Sequence, residues 1–77
     1  MEEVKVVTPA GEIKVVENPD SDYPGVWIQI NGQDLVLVDY DEEEDTHFVR
    51  VWTKERDEKG IDPLVKIDIK SGFCYQN

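Results

Sequence analysis

Ten carboxylates lie between Glu17 and Asp45 with no basic side chain among them: Glu17, Asp20, Asp22, Asp34, Asp39, Asp41, Glu42, Glu43, Glu44 and Asp45. The rest of the 77-residue chain balances eight acids against eight bases, so the whole formal charge of −10 belongs to this one stretch. Charge spread evenly keeps a protein soluble; charge gathered in one stretch makes a surface that attracts a cation or a basic partner.

Carboxylates crowded in this way can do three kinds of chemistry. The first is cation binding. Asp39, Asp41 and Glu43 offer oxygens at alternate positions, and Asn18, Asp20 and Asp22 offer a second alternating set, as a calcium-type ion with six to eight oxygen ligands would need. The match to a helix–loop–helix calcium site is poor, because no glycine stands at the sixth position and Arg50 stands at the twelfth. The metal candidates Asp20, Asp22, Asp39, Asp41 and Glu43 are therefore weak. The second is acid–base catalysis, which requires a cleft that raises one carboxyl pKa toward neutrality. Seven short strands leave little room for such a cleft, and the chain holds no glycine-rich phosphate loop, no Cys-x-x-Cys, no His-Glu-x-x-His and no serine in a nucleophile elbow. The expectation is a non-enzymatic protein without a cofactor. The third is recognition of a basic surface on another protein, by long-range attraction from Asp20, Asp22, Asp41, Glu42, Glu43, Glu44 and Asp45. Aromatic anchors could add desolvated contact area to it, and Trp27, Tyr40 and Trp52 are the candidates. Carboxylates on a rigid scaffold can also occupy the positions of nucleic-acid phosphates, so mimicry of a nucleic acid toward a nucleic-acid-binding protein is a special case of this reading.

Two further residue types carry reactive chemistry elsewhere but not here. His47, the one histidine, reads as a strand-end residue with a local ionic role rather than a catalytic base. Cys74, the one cysteine, reads as a buried structural thiol, and one cysteine allows no internal disulfide. An unpaired thiol suits a reducing compartment. The start Met1-Glu2-Glu3-Val4-Lys5 lacks the pattern of a secretory signal, and no apolar run approaches the roughly 20 residues of a membrane span. The expected location is cytoplasmic. The pI near 4.3 argues against direct contact with nucleic acid or an anionic membrane.

The elements that must position these groups are strands. Val4-Val6, Ile13-Val15, Val26-Ile28-Ile30, Leu35-Leu37, Val49-Val51 and Val65-Ile67-Ile69 recur with period two, and no helical spacing persists beyond a turn. Breakers punctuate them at Pro9-Ala10-Gly11, Pro24-Gly25, Asn31-Gly32, Gly60, Pro63 and Gly72; Asn31-Gly32 between alternating runs is a strong hairpin signal. The pattern predicts strands near 3–8, 12–17, 26–31, 34–40, 46–53, 64–69 and 73–76, and a solvated, flexible hairpin loop over Thr53–Gly60. The fold class is all-β: one domain over residues 1–77, a six- or seven-stranded antiparallel meander forming a twisted sheet, a small barrel or a flat sandwich.

A meander alternates its connections between two ends. The loops at 18–25 and 41–45 and the Ser71-Gly72 turn should share one end, with Lys54, Arg56 and Lys59 at the other. With Ile28, Leu37 and Val51 facing a core, the second face would hold Trp27, Val36, Val38, Tyr40, Phe48 and Trp52. That set is too large to leave in water on a monomer, so it calls for a covering element, a partner or a homodimer.

Overall fold

The computed structural model describes residues 3–19 and 24–76. Its seven strands are β1 (Val4–Thr8), β2 (Gly11–Glu17), β3 (Gly25–Ile30), β4 (Gln33–Asp41), β5 (Thr46–Val51), β6 (Val65–Asp68) and β7 (Cys74–Gln76). All pair antiparallel in one sheet whose spatial order is the order in the chain. Among the described residues β1 and β7 stand at the two edges, so the sheet is open and the barrel and sandwich alternatives fall away.

The hairpin at Asn31-Gly32 forms as its sequence requires, with positive φ at both residues (52° and 83°). Asn31 also ties this hairpin to β2: its backbone N–H donates to the Glu12 carbonyl and its Oδ1 accepts from the Glu12 N–H, each at 2.9 Å.

One register detail decides which side chains share a face. Beyond the turn, Ile30 pairs with Gln33 and Gln29 with Asp34, but Ile28 pairs with Val36. Leu35 is the extra residue of a bulge, and every later position in β4 is inverted relative to an unbulged hairpin. Without it, Val26 would oppose Leu37; with it, Trp27 does. The expected division of the faces is corrected accordingly. Leu37 joins Trp27, Phe48 and Trp52, while Val36, Val38 and Tyr40 join Ile28 and Val51.

The first face carries cross-strand rows of β-branched residues: Val15–Ile28–Val36–Val51–Val65 and Val26–Val38–Val49–Ile67, with Val6–Ile13–Ile30 toward one end. The second carries Val16–Trp27–Leu37–Arg50–Lys66–Tyr75 and, beside it, Asp39–Phe48–Asp68. Among the described residues every buried one lies on this second face: Leu37 (8% exposed), Phe48 (5%), Asp39 (2%) and Thr46 (5%). Long side chains do the covering. The Trp27 and Trp52 rings meet at 5.2 Å, and the Lys66 ammonium lies 4.3 Å from the Phe48 ring and 5.4 Å from that of Tyr75. The Arg50 guanidinium pairs with the buried Asp39 carboxylate through Nη1 and Oδ2.

The segment expected as a flexible loop is a short helix, α1 (Lys54–Lys59). Thr53 caps it by accepting from the Arg56 N–H at 3.2 Å, and Gly60 closes it in the left-handed conformation with φ 66°. Glu55 and Lys59 add an ion pair one turn apart at 2.8 Å. The helix is docked as well as capped. Gln33 Nε2 donates to Asp57 at 3.4 Å, Arg56 Nη1 to the Asp62 carbonyl at 3.0 Å, and Trp52 Nε1 to the Ile61 carbonyl at 2.8 Å. This docking also shortens β5, which ends at Val51 rather than Thr53.

Candidate functional site

The acidic run folds as the tightest connection at its end of the sheet. β4 continues through Asp41, four residues turn, and β5 begins at Thr46. Asp41 directs its Oδ1 inward, accepting from the N–H groups of Glu43 at 3.0 Å and Glu44 at 3.2 Å. Asp45 completes the turn with a positive φ of 50°, and its Oδ1 accepts from the Tyr40 hydroxyl at 2.8 Å. Two of the five acids thus build the turn. The other three, Glu42, Glu43 and Glu44, project into solvent.

The neighbouring connections meet this turn as a meander requires. The Tyr40 N–H donates to the Pro24 carbonyl and the Asn18 N–H to the Gly25 carbonyl, so the 18–25 connection starts and ends beside β4's acidic end. Gly25 allows that approach, because a Cβ there would collide with the Val38 carbonyl. On the other side, Thr46 donates its hydroxyl to Asp68 Oδ1 at 2.8 Å, and the N–H groups of Lys70 and Ser71 converge on the same oxygen at 2.9 and 3.3 Å. The Thr46 hydroxyl, with those N–H groups, holds the Asp68 carboxyl below its ordinary pKa. Lys70 lies 4.0 Å from Asp45 and is the cation nearest the tip among the described ion pairs. The Tyr40 phenol is pushed up, chiefly by its hydrogen bond to Asp45 and further by its own desolvation and the surrounding carboxylates.

Of the residues singled out from the sequence, Tyr40, Asp41, Glu42, Glu43, Glu44 and Asp45 come together at this tip. Asp20 and Asp22 lie outside the described residues. Trp27 and Trp52 do not join the tip; they stack on the aromatic face, with Trp52 tied toward the helix end by Ile61. His47 is exposed opposite Tyr40, the two rings 5.3 Å apart. Cys74 is exposed rather than buried, because β7 is an edge strand with nothing packed beyond it among the described residues. For the cation reading, no group of three or more His, Cys, Asp or Glu side chains converges as metal ligands would among the described residues. Asp39 and Asp41 lie on the aromatic face, and Asp39 is committed to Arg50.

Elsewhere the charges mix. Lys5, Lys14, Glu3 and Glu12 interlock at 3.1 to 3.5 Å along the β1–β2 pair, and at the far end of the sheet the helix intersperses Lys54, Arg56 and Lys59 with Glu55, Asp57 and Glu58. Among the described residues no helix is long and apolar enough to cross a membrane. No protein-family model matches the chain, and no curated protein or solved structure matches it at a significant level.

Proposed function

We propose that this domain is a non-enzymatic interaction module whose acidic tip binds a basic surface on a partner protein. The observation that carries this reading is the division of labour within the turn. Asp41 and Asp45 hold its shape, and Glu42, Glu43 and Glu44 stand exposed on that fixed support. A pre-set cluster loses less side-chain and loop entropy on binding than a flexible acidic tail, and its field steers a basic partner toward it. Tyr40, at the base of the tip, supplies contact area beside the charges. The carboxylates form a compact point rather than paired rows, which suits a basic patch on a protein better than a site built for a length of nucleic acid. Mimicry of a nucleic acid remains the narrower form of the proposal. A reducing cytoplasmic location fits the exposed, unpaired Cys74.

The test is capture of partners from a lysate at low salt. Wild type is compared with a Glu42→Gln, Glu43→Gln, Glu44→Gln variant, which retains Asp41 and Asp45 and hence the turn. A basic protein held by wild type, released by added salt and lost by the variant supports the reading. Identical capture by both overturns it.

A further inference from the structure

Among the described residues the β-branched face has no acidic or basic side chain in its interior and no second sheet packed on it; α1 touches the sheet only at β4, by the Asn31-Gly32 end. Ile28, Val36, Val38, Val49, Val51 and Ile67 occupy its centre, and each remains partly exposed although its lateral neighbours are apolar. Toward one edge Val4 and Val6 are 56% and 52% exposed. Of the charged strand residues, Lys14, Asp39, Arg50, Lys66 and Asp68 stand on the opposite face, while Glu17 stands on this one at its rim, opposite Val26 and beside the 18–25 connection. Six strands about 4.8 Å apart, paired over roughly 17 Å, give this face a footprint of roughly 500 Å². That is about a tenth of the protein's 5516 Å² of accessible surface.

We infer that this face pairs with the same face of a second copy of the chain, making a two-layer β-sandwich from two open sheets. Three features select a second copy over another occupant. The interior of the face is uncharged and Glu17 lies at its corner, so a two-fold related copy meets it without like charges opposed at its centre, although each chain carries −10 overall. Short β-branched side chains on two twisted sheets interdigitate in aligned packing, the geometry that closes natural sandwiches. The joint footprint of roughly 1,000 Å² reaches what a specific association requires, while a smaller partner segment would leave part of it wet. Glu42, Glu43 and Glu44 lie at the end of the sheet, outside the contact, so each dimer carries two acidic tips.

Sedimentation equilibrium across a wide concentration range tests this pairing. The expected species has the mass of two 8.9 kDa chains. Added salt should hold or tighten it by screening the net charge, the opposite of its effect on partner capture by the tip. A Val38→Thr, Val49→Thr variant keeps the β-branched shape and places four hydroxyls in the symmetric contact, weakening association by roughly a hundredfold or more. Its fold is read from the near-ultraviolet circular dichroism of the Trp27–Trp52 pair, which lies on the other face. Wild type needs no variant for a second reading: in a mixture of labelled and unlabelled chains, intermolecular methyl contacts should arise from Val36, Val38 and Val49. A single-chain mass at every concentration overturns the inference, as do association unaffected by the two substitutions and intermolecular contacts confined to β1 or β7. The Glu42, Glu43, Glu44 variant should dimerise as wild type does, so failure of the acidic-tip reading leaves this result intact.

Discussion

On one face of the sheet Trp27, Leu37, Arg50, Lys66 and Tyr75 stand in a cross-strand row, and their long side chains fold over one another. On the other, Val15, Ile28, Val36, Val51 and Val65 stand in a neighbouring row and reach only as far as each other. The first face buries Leu37, Phe48 and the Asp39 carboxylate of an ion pair without a second layer of secondary structure; among the described residues the second buries none of its members. In a single-layer sheet, burial is set by side-chain length as much as by hydrophobicity. A lysine or tryptophan stem roofs its neighbours, and a valine does not.

The sharpest way to break this contrast is truncation on each side. Phe48→Ala should cost about 3–4 kcal/mol, a large share of what a domain of this size possesses, whereas Val49→Ala on the bare face of the monomer should cost about 1 kcal/mol or less. Urea denaturation at low concentration checks both. Equal losses would mean the two faces are equally covered. Next in size is the buried ion pair. Among the described residues no donor reaches Asp39 Oδ1, so the carboxylate depends on Arg50. Arg50→Met should cost about 3 kcal/mol by stranding that charge, and adding Asp39→Asn should restore much of the loss. A double variant no better than the single would show that the pair acts through packing.

The helix that braces the far end is a smaller test. Thr53→Ala should cost about 1 kcal/mol, with early hydrogen exchange confined to residues 54–61. The slightest change in folding stability belongs to the bare face itself, where Val38→Thr in the monomer should fall within about 0.5 kcal/mol of wild type. Asp68 sharpens the comparison through pH. Its folded pKa is lowered, first by Thr46, so its contribution is complete above the unfolded carboxylate pKa and is lost as pH falls through the folded value. The melting-temperature advantage of wild type over Asp68→Asn should therefore shrink in strong acid, and parallel profiles would remove Asp68 from the account.

Strand number, order and the placement of connections were legible in the sequence, because period-two runs and turn residues are local signals and a meander adds no long-range choice. The acidic end was legible for the same reason: counting connections places 41–45 beside the 18–25 base and the Ser71-Gly72 turn. The division of the faces was not, because one bulge residue, Leu35, inverts the phase of all that follows it in β4, and Leu35-Val36 looks like ordinary alternation. The helix was missed although its Thr53 cap and Gly60 stop were visible, since alternating charges over six residues read equally well as a solvated loop. Nor could spacing show that Asp41 and Asp45 spend their carboxylates on building the turn, leaving three acids outward. That depends on side-chain direction within a tight bend.

The strictly sequential strand order also bears on how the chain reaches this structure. Among the described residues the widest strand pairing, Phe48 with Asp68, joins positions about twenty apart, even though the 54–59 helix intervenes. Most all-β domains fold slowly because distant segments must find one another at a high loop-closure cost. Here each strand's partner has just been synthesised, so hairpins can close in turn as the polypeptide leaves the ribosome. The growing edge, rather than any distant partner, is the template for the next strand.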